Sequence, residues 1–264
     1  MGDRDSGRLD ERVVLVTGAG RGIGRGIVEA VAAAGARVVL SDIDAASAGE
    51  VARNIDPDGE RTIAVGLDVA REDQIEAVLD VAADRFGPID GLVNNAGVVE
   101  LGPVLEISES SFRAQFDVNV TGLFLCAKAA ARRMVAQGGG GAIVNVASNA
   151  GKVGYRNMAA YNSSKAAVIS LTRSLAMELA EHGINVNAVC PGGVATSMLE
   201  GVAAWIGERT GQSPQVLFAQ MVPAQLSRHI RPLEVGRVVA FLLSEDAQII
   251  RGQSINVDGG ETPY

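Results

Sequence analysis

Short apolar runs alternate along this chain with stretches whose apolar residues recur every three or four positions. Residues 12–17 (RVVLVT) are almost continuously apolar, as in a strand covered on both faces. Ile23, Ile27, Val31 and Ala34 then follow at helical spacing, and Gly35 can end that helix. Residues 37–42 predict a second strand and 61–67 a third. Residues 71–86 predict a helix with Ile75, Val78, Leu79, Ala82 and Phe86 on one face. Residues 91–94 predict a short fourth strand. A long helical pattern at about 108–137 ends in four glycines, and strand five follows at 142–147. Residues 158–182 read as helix, 184–190 as strand six, 194–233 as irregular, 233–244 as a last helix and 253–257 as a last strand.

Repeated β-α units predict an α/β fold with a doubly wound parallel sheet and right-handed crossovers. No linker-like break or internal repeat interrupts them. One domain over residues 8–264 is therefore expected, after a disordered or extended start at 1–7.

Composition narrows the function. The 264 residues carry 23 Lys+Arg against 31 Asp+Glu, a net charge of −8, which disfavours nucleic acid as a partner. Two His (His182, His229) and two Cys (Cys126, Cys190), far apart in sequence, argue against a metal site of the zinc kind. They also fit a reducing, cytoplasmic setting. No apolar run is long enough to span a membrane, and the charged first twelve residues do not form a signal peptide. Met1 to Ser6 fits the bare M-G-x-x-x-[ST] acylation pattern, but a polar, disordered start is preferred.

Gly18, Gly20, Gly22 and Gly24 crowd the turn from the first strand into the first helix. Glycine lets a backbone approach a pyrophosphate closely, and the helix start offers free N–H groups. The string is T-G-x-x-x-G-x-G, not the strict G-x-G-x-x-G. Asp42 ends the second strand, where a carboxylate can accept both ribose hydroxyls and repel a 2′-phosphate. Arg21 would favour the phosphate. Asp42 sits at the ribose position itself, so NAD is expected over NADP.

Tyr161 and Lys165 lie four apart on one helical face, in a chain with only three Tyr and three Lys. A nearby ammonium is expected to lower the phenol's pKa toward useful acid–base range. Ser148, at the end of strand five, could hydrogen-bond a carbonyl oxygen beside the Tyr. No His is placed to activate it as a nucleophile.

Thr17 to Gly24, Asn94-Asn95-Ala96-Gly97, Ser148, Tyr161-x-x-x-Lys165 and Pro191-Gly192 occur in the order seen in the short-chain dehydrogenase/reductase family, which nearly the whole chain resembles. The resemblance implies a seven-stranded Rossmann-type sheet and hydride transfer between a nicotinamide and an alcohol or carbonyl. It implies Tyr161 as general acid/base, Lys165 as its partner and ribose anchor, Ser148 as the group polarising the substrate oxygen, and Asn119 as support for a water-linked proton relay. The implied cofactor contacts are Gly18, Arg21, Gly22, Ile23, Gly24, Asp42, Asp68, Val69, Asn95, Ala96, Gly97, Tyr161, Lys165, Pro191, Val194 and Thr196. Asp68 and Val69 would meet adenine; Val194 and Thr196 would meet the carboxamide. Ala147 stands where many relatives have a second serine.

Family likeness also implies substrate walls at 98–101, 149–158 and roughly 193–230, the last a lid. It implies pairing of subunits through helices at about 109–136 and 158–181, and a homotetramer completed by the last strand. Several features look like NAD-dependent polyol, diol and secondary-alcohol dehydrogenases. A 3-oxoacyl-thioester reductase is the runner-up. A non-catalytic NAD-binding regulator is the alternative of another class.

Overall fold

The computed structural model describes residues 8–264; the expected disordered start at 1–7 and its acylation-like pattern lie outside the described residues. The apolar runs form β1 (Val13–Thr17), β2 (Arg37–Asp42), β3 (Thr62–Gly66), β4 (Gly91–Asn94), β5 (Gly141–Val146), β6 (Ile184–Pro191) and β7 (Ser254–Val257). All pair in parallel, in the order β3-β2-β1-β4-β5-β6-β7. In β1 to β6, alternate side chains serve cores on opposite faces of the sheet. Val14, Val16, Val38, Leu40 and Val144 face one layer of helices. Val13, Leu15, Val39, Leu92 and Ile143 face the other. With apolar residues needed on both faces, the strands read as unbroken apolar runs.

The first layer holds α1 (Gly22–Ala33), α2 (Ala45–Ile55) and α9 (Pro232–Leu243); the second holds α3 (Glu72–Phe86), α5 (Leu123–Gln137) and α6 (Ala159–Glu178). The remaining helices are α4 (Glu109–Phe116), α7 (Ser197–Thr210) and α8 (Pro214–Gln220). This is the expected doubly wound, seven-stranded Rossmann-type sheet. Strand order reverses at β1, which pairs with both β2 and β4. Ligand crevices of such sheets open at the carboxyl ends of the strands beside that reversal.

Helices α1 and α9 cross at backbone contact. A Cβ on Gly26 would stand 2.3 Å from the Pro232 carbonyl carbon, and one on Gly236 would stand 2.1 Å from the Gly26 carbonyl oxygen. That crossing fixes the helix whose first turn follows the Gly-rich loop.

Two expectations need correction, and one further helix was not expected. Residues 194–233 are not irregular, because they contain α7 and α8. Pro214 stands in the first turn of α8, where its missing N–H removes no helical hydrogen bond, and Thr196 caps α7 by accepting from the Leu199 N–H at 3.3 Å. The two ends of this excursion are tied by a parallel bridge between Val194 and Ile230. Helix α2 was not read at all. The long helix at 108–137 is real, but a π-helical stretch, Asp117–Gly122, interrupts it between α4 and α5. No helix of the described residues is long and apolar enough to cross a membrane.

Candidate active site

The Gly-rich turn is shaped by contacts that a side chain would block. Gly18 and Gly22 have φ of +64° and +53°, in the left-handed region that glycine tolerates. A Cβ on Gly18 would lie 2.8 Å from the Ala96 Cα, and one on Gly24 would lie 2.0 Å from the Gly18 carbonyl oxygen. Helix α1 begins without a side-chain cap and without an acidic residue in its first turn. Its leading N–H groups are thus left for an anion.

Asp42 sits where β2 meets this turn. The Gly20 N–H donates to its Oδ2 at 2.9 Å, and the Asp44 N–H donates to its Oδ1 at 3.0 Å. Arg21 is exposed at the turn, and Ile23 packs half-buried against the first core. The Asp44 carboxyl is held below its usual range chiefly by the Ser47 hydroxyl and backbone, with Arg21 contributing least.

The loop after β4 closes over β1. The Thr17 hydroxyl accepts the N–H groups of Asn95 and Ala96, and the Asn95 amide donates to the carbonyls of Thr17 and Gly18. Behind it, Asn94 donates to Asn145 at 2.9 Å. Asp68 and Val69 lie after β3. Asp68 accepts the Ala70 N–H, and Val69 packs against Gly122 of the π stretch, where a Cβ would come within 2.7 Å of its Cγ2.

The π stretch aims Asn119 inward. Its Oδ1 accepts the Val98 N–H at 2.8 Å, and its Nδ2 donates to the Val98 carbonyl at 2.9 Å and the Ser164 hydroxyl at 3.0 Å. Ser164 donates on to the Tyr161 carbonyl. One buried amide thus joins the loop after β4 to helix α6. Gly97 gives the Lys165 ammonium room. A Cβ there would stand 3.2 Å from the Asn119 Oδ1 and 3.4 Å from the Lys165 Nζ.

Lys165 is buried, and its Nζ donates to the Val146 carbonyl at 2.8 Å. Burial brings its ammonium down to about 8, with Cys190 acting weakly the other way. Tyr161, one helical turn earlier, is half-buried. Burial pushes its phenol up, and a hydrogen bond with the Ser148 side chain opposes that. The expected lowering by Lys165 is therefore not the dominant effect here. Removal from water favours the neutral form of both groups.

Ser148 stands at the carboxyl end of β5. It accepts the Ala150 N–H at 3.1 Å and donates to the Asn149 Oδ1 at 3.3 Å. The Asn149 Nδ2 donates to the Tyr155 hydroxyl, which donates to the Glu261 Oε1, both at 2.8 Å. Pro191 closes β6, Val194 is buried just beyond it, and the Thr196 methyl faces Gly22. The structure thus gathers the expected residues along one line of strand ends. Tyr155 lies within the expected substrate wall at 149–158, and Glu261 was not among the expected residues. The sequence signal for Tyr155 was its nearness to Ser148, whereas Glu261 offered none.

The family model described as enoyl-(acyl carrier protein) reductase matches residues 18–262. Galactitol 2-dehydrogenase of Agrobacterium fabrum is 42% identical over 257 residues, covering 96% of this chain and 98% of that one. Sorbitol dehydrogenase of Cereibacter sphaeroides is 40% identical over 258 residues, covering 96% and 98%. Among solved structures, a short-chain type dehydrogenase/reductase from Mycobacterium marinum superposes with a TM-score of 0.89 at 35% identity over 100% of both chains.

Proposed function

The chain belongs to the short-chain dehydrogenase/reductase family, and we propose that it interconverts a polyol, diol or related secondary alcohol and its ketone with NAD as partner. It is an oxidoreductase of the alcohol dehydrogenase and ketone reductase kind. The convergence of Ser148, Tyr161 and Lys165 at the carboxyl end of β5 carries this reading, and the names of the two polyol dehydrogenases support it.

The turn from Gly18 to Gly24 fits a dinucleotide, because a Cβ would fill the space that its backbone leaves and the α1 N–H groups are uncapped. Asp42 would take the ribose hydroxyls, which favours NAD over NADP. Asp68 and Val69 would flank adenine, and Asn95, Ala96, Gly97, Pro191, Val194 and Thr196 would line the path to the nicotinamide. When bound, the nicotinamide supplies the hydride exchange.

The protein's own groups do the rest. Ser148 donates to the reacting oxygen and fixes its place. Tyr161 takes the hydroxyl proton in oxidation as a phenolate and returns it in reduction as a phenol. Lys165 keeps N–H groups beyond its bond to Val146 for the ribose and for the proton path. Asn119 holds the loop after β4 against α6, so that these groups keep their spacing.

The test is NADH formation across polyols, diols, simple secondary alcohols and 3-hydroxyacyl thioesters, with Tyr161→Phe as control. The description of the matching family model favours a thioester reading. The net charge of −8 and Asp42 argue against a phosphate-bearing carrier and NADPH. Turnover confined to thioesters would establish that runner-up. NAD binding with no turnover on any of these compounds would instead establish a regulator. We place the enzyme in the cytoplasm as a homotetramer, built on α4, α5 and α6 and on the free edge of β7.

A further inference from the structure

We propose that Glu261 is a specificity-determining residue: its free carboxylate oxygen accepts a hydroxyl group on the substrate carbon chain beyond the reacting carbinol. The inference rests on the alcohol dehydrogenase reading and names what that site selects.

Four observations meet at this carboxylate. First, it is tied to the reacting centre by a short polar chain. The Ser148 hydroxyl reaches Asn149, Asn149 reaches Tyr155, and Tyr155 donates to the Glu261 Oε1. A carboxylate can only accept, so the Tyr155 hydroxyl must donate to it and accept from the Asn149 amide. From Asn149 outward the chain therefore has a fixed direction, and because Asn149 directly follows Ser148 the carboxylate keeps its place when the Ser148 proton turns from Asn149 to the reacting oxygen.

Second, the other oxygen is uncommitted. The Glu261 Oε2 makes no hydrogen bond among the described residues, and the side chain is exposed. It lies over Gly192, where a Cβ would stand 2.8 Å away. Gly192 follows the end of β6 and precedes Val194, so this oxygen borders the crevice at the carboxyl ends of β5 and β6.

Third, the backbone that carries Glu261 is anchored on both sides. The buried Asp258 accepts the Gly260 N–H at 3.0 Å and the Thr262 N–H and hydroxyl at 2.9 and 2.6 Å. The Asn256 amide donates to the Thr262 hydroxyl and carbonyl and to the Tyr264 carbonyl. A loose tail could not aim a carboxylate; this one is fixed.

Fourth, Tyr155 is held at its other end. The Asn162 amide, next to Tyr161, donates to the Tyr155 carbonyl at 2.9 Å.

A half-free, acceptor-only group at this place suits a neutral chain rich in hydroxyl groups. It gives a simple secondary alcohol nothing to bind. It repels phosphate-bearing thioesters. Glu261 is thus the residue that tells a polyol from a mono-alcohol, while Asn149 and Tyr155 position it.

The experiment compares kcat/KM with NAD for a linear hexitol and for 2-butanol, in wild type, Glu261→Ala, Glu261→Gln and Tyr155→Phe. Circular dichroism and NADH fluorescence titration verify folding and cofactor binding of each variant. Glu261→Ala is expected to lower kcat/KM for the hexitol by about tenfold or more, mainly through KM, with less than a twofold change for 2-butanol. Glu261→Gln, which still accepts, is expected to recover part of the loss. Tyr155→Phe is expected to fall between. An equal loss on both alcohols would overturn the proposal in favour of a structural role, and no loss on either would overturn it outright; both leave the alcohol dehydrogenase reading standing. A wild type that oxidises neither alcohol fails that reading, and the subsite falls with it.

Discussion

The Lys165 ammonium stands 5.8 Å from the centre of the Tyr161 ring while donating to the Val146 carbonyl at the end of β5. The strand therefore holds the lysine and the lysine flanks the phenol. Tyr161→Phe keeps the ring and removes the proton-transfer atom. Turnover is expected to fall by about 10²- to 10⁴-fold with NADH binding retained, as read by steady-state rates and by fluorescence titration. Retained turnover would refute the assignment.

Lysine ordinarily titrates near 10.5, and burial brings Lys165 to about 8. Between these values the unfolded chain holds a proton that the folded chain has lost, so stability rises with pH there. Below about pH 8 both states are charged, and the folded state carries the full cost of roughly 3 kcal/mol. Lys165→Met removes this dependence. Its stability gain over wild type is expected to be largest near pH 7 and to shrink toward pH 10, measured by urea unfolding. A gap that does not change with pH would contradict this.

Asp42 accepts the Gly20 N–H, and the proposed reading gives it the ribose hydroxyls. Wild type is expected to prefer NAD. Asp42→Ser is expected to shift the ratio of kcat/KM for NADP over NAD by at least about tenfold toward NADP, since it removes a charge that opposes the 2′-phosphate. An unchanged ratio would remove Asp42 from the ribose site.

Phe124 on α5 and Met177 on α6 are exposed, Met177 by 81%. Light scattering at micromolar concentration is expected to give a tetramer, and Met177→Glu is expected to shift it toward smaller species. A monomeric wild type would contradict the proposed assembly.

Strands β1 to β6 were legible in the sequence because they are covered on both faces, which leaves runs of apolar residues such as 13–17. The spacing of Tyr161 and Lys165 was legible because one helical turn brings them together. Helix α2 carries helical spacing at Ala48, Val51, Ala52 and Ile55, but two of these are small alanines and its cap, Asp44, also reads as a turn. The prolines between 194 and 233 suggest irregular chain, yet Pro214 and Pro232 sit in first turns, where proline costs no hydrogen bond. The π stretch that aims Asn119 leaves no mark on a pattern sampled at helical spacing. Glu261 and Tyr155 meet from positions far apart, and nothing local signals their contact.

The crossing of Gly26 with Gly236 joins segments about two hundred positions apart. A nascent chain still lacking α9 offers α1 no surface for its glycine face. On the proposed reading, the nucleotide turn then acquires its rigidity only once α9 has docked on α1. Substitution of Gly236 by Ala should therefore slow recovery of nucleotide affinity during refolding more than it slows formation of the early strand pairs. Tight dinucleotide capture would then report that α1 and α9 have docked.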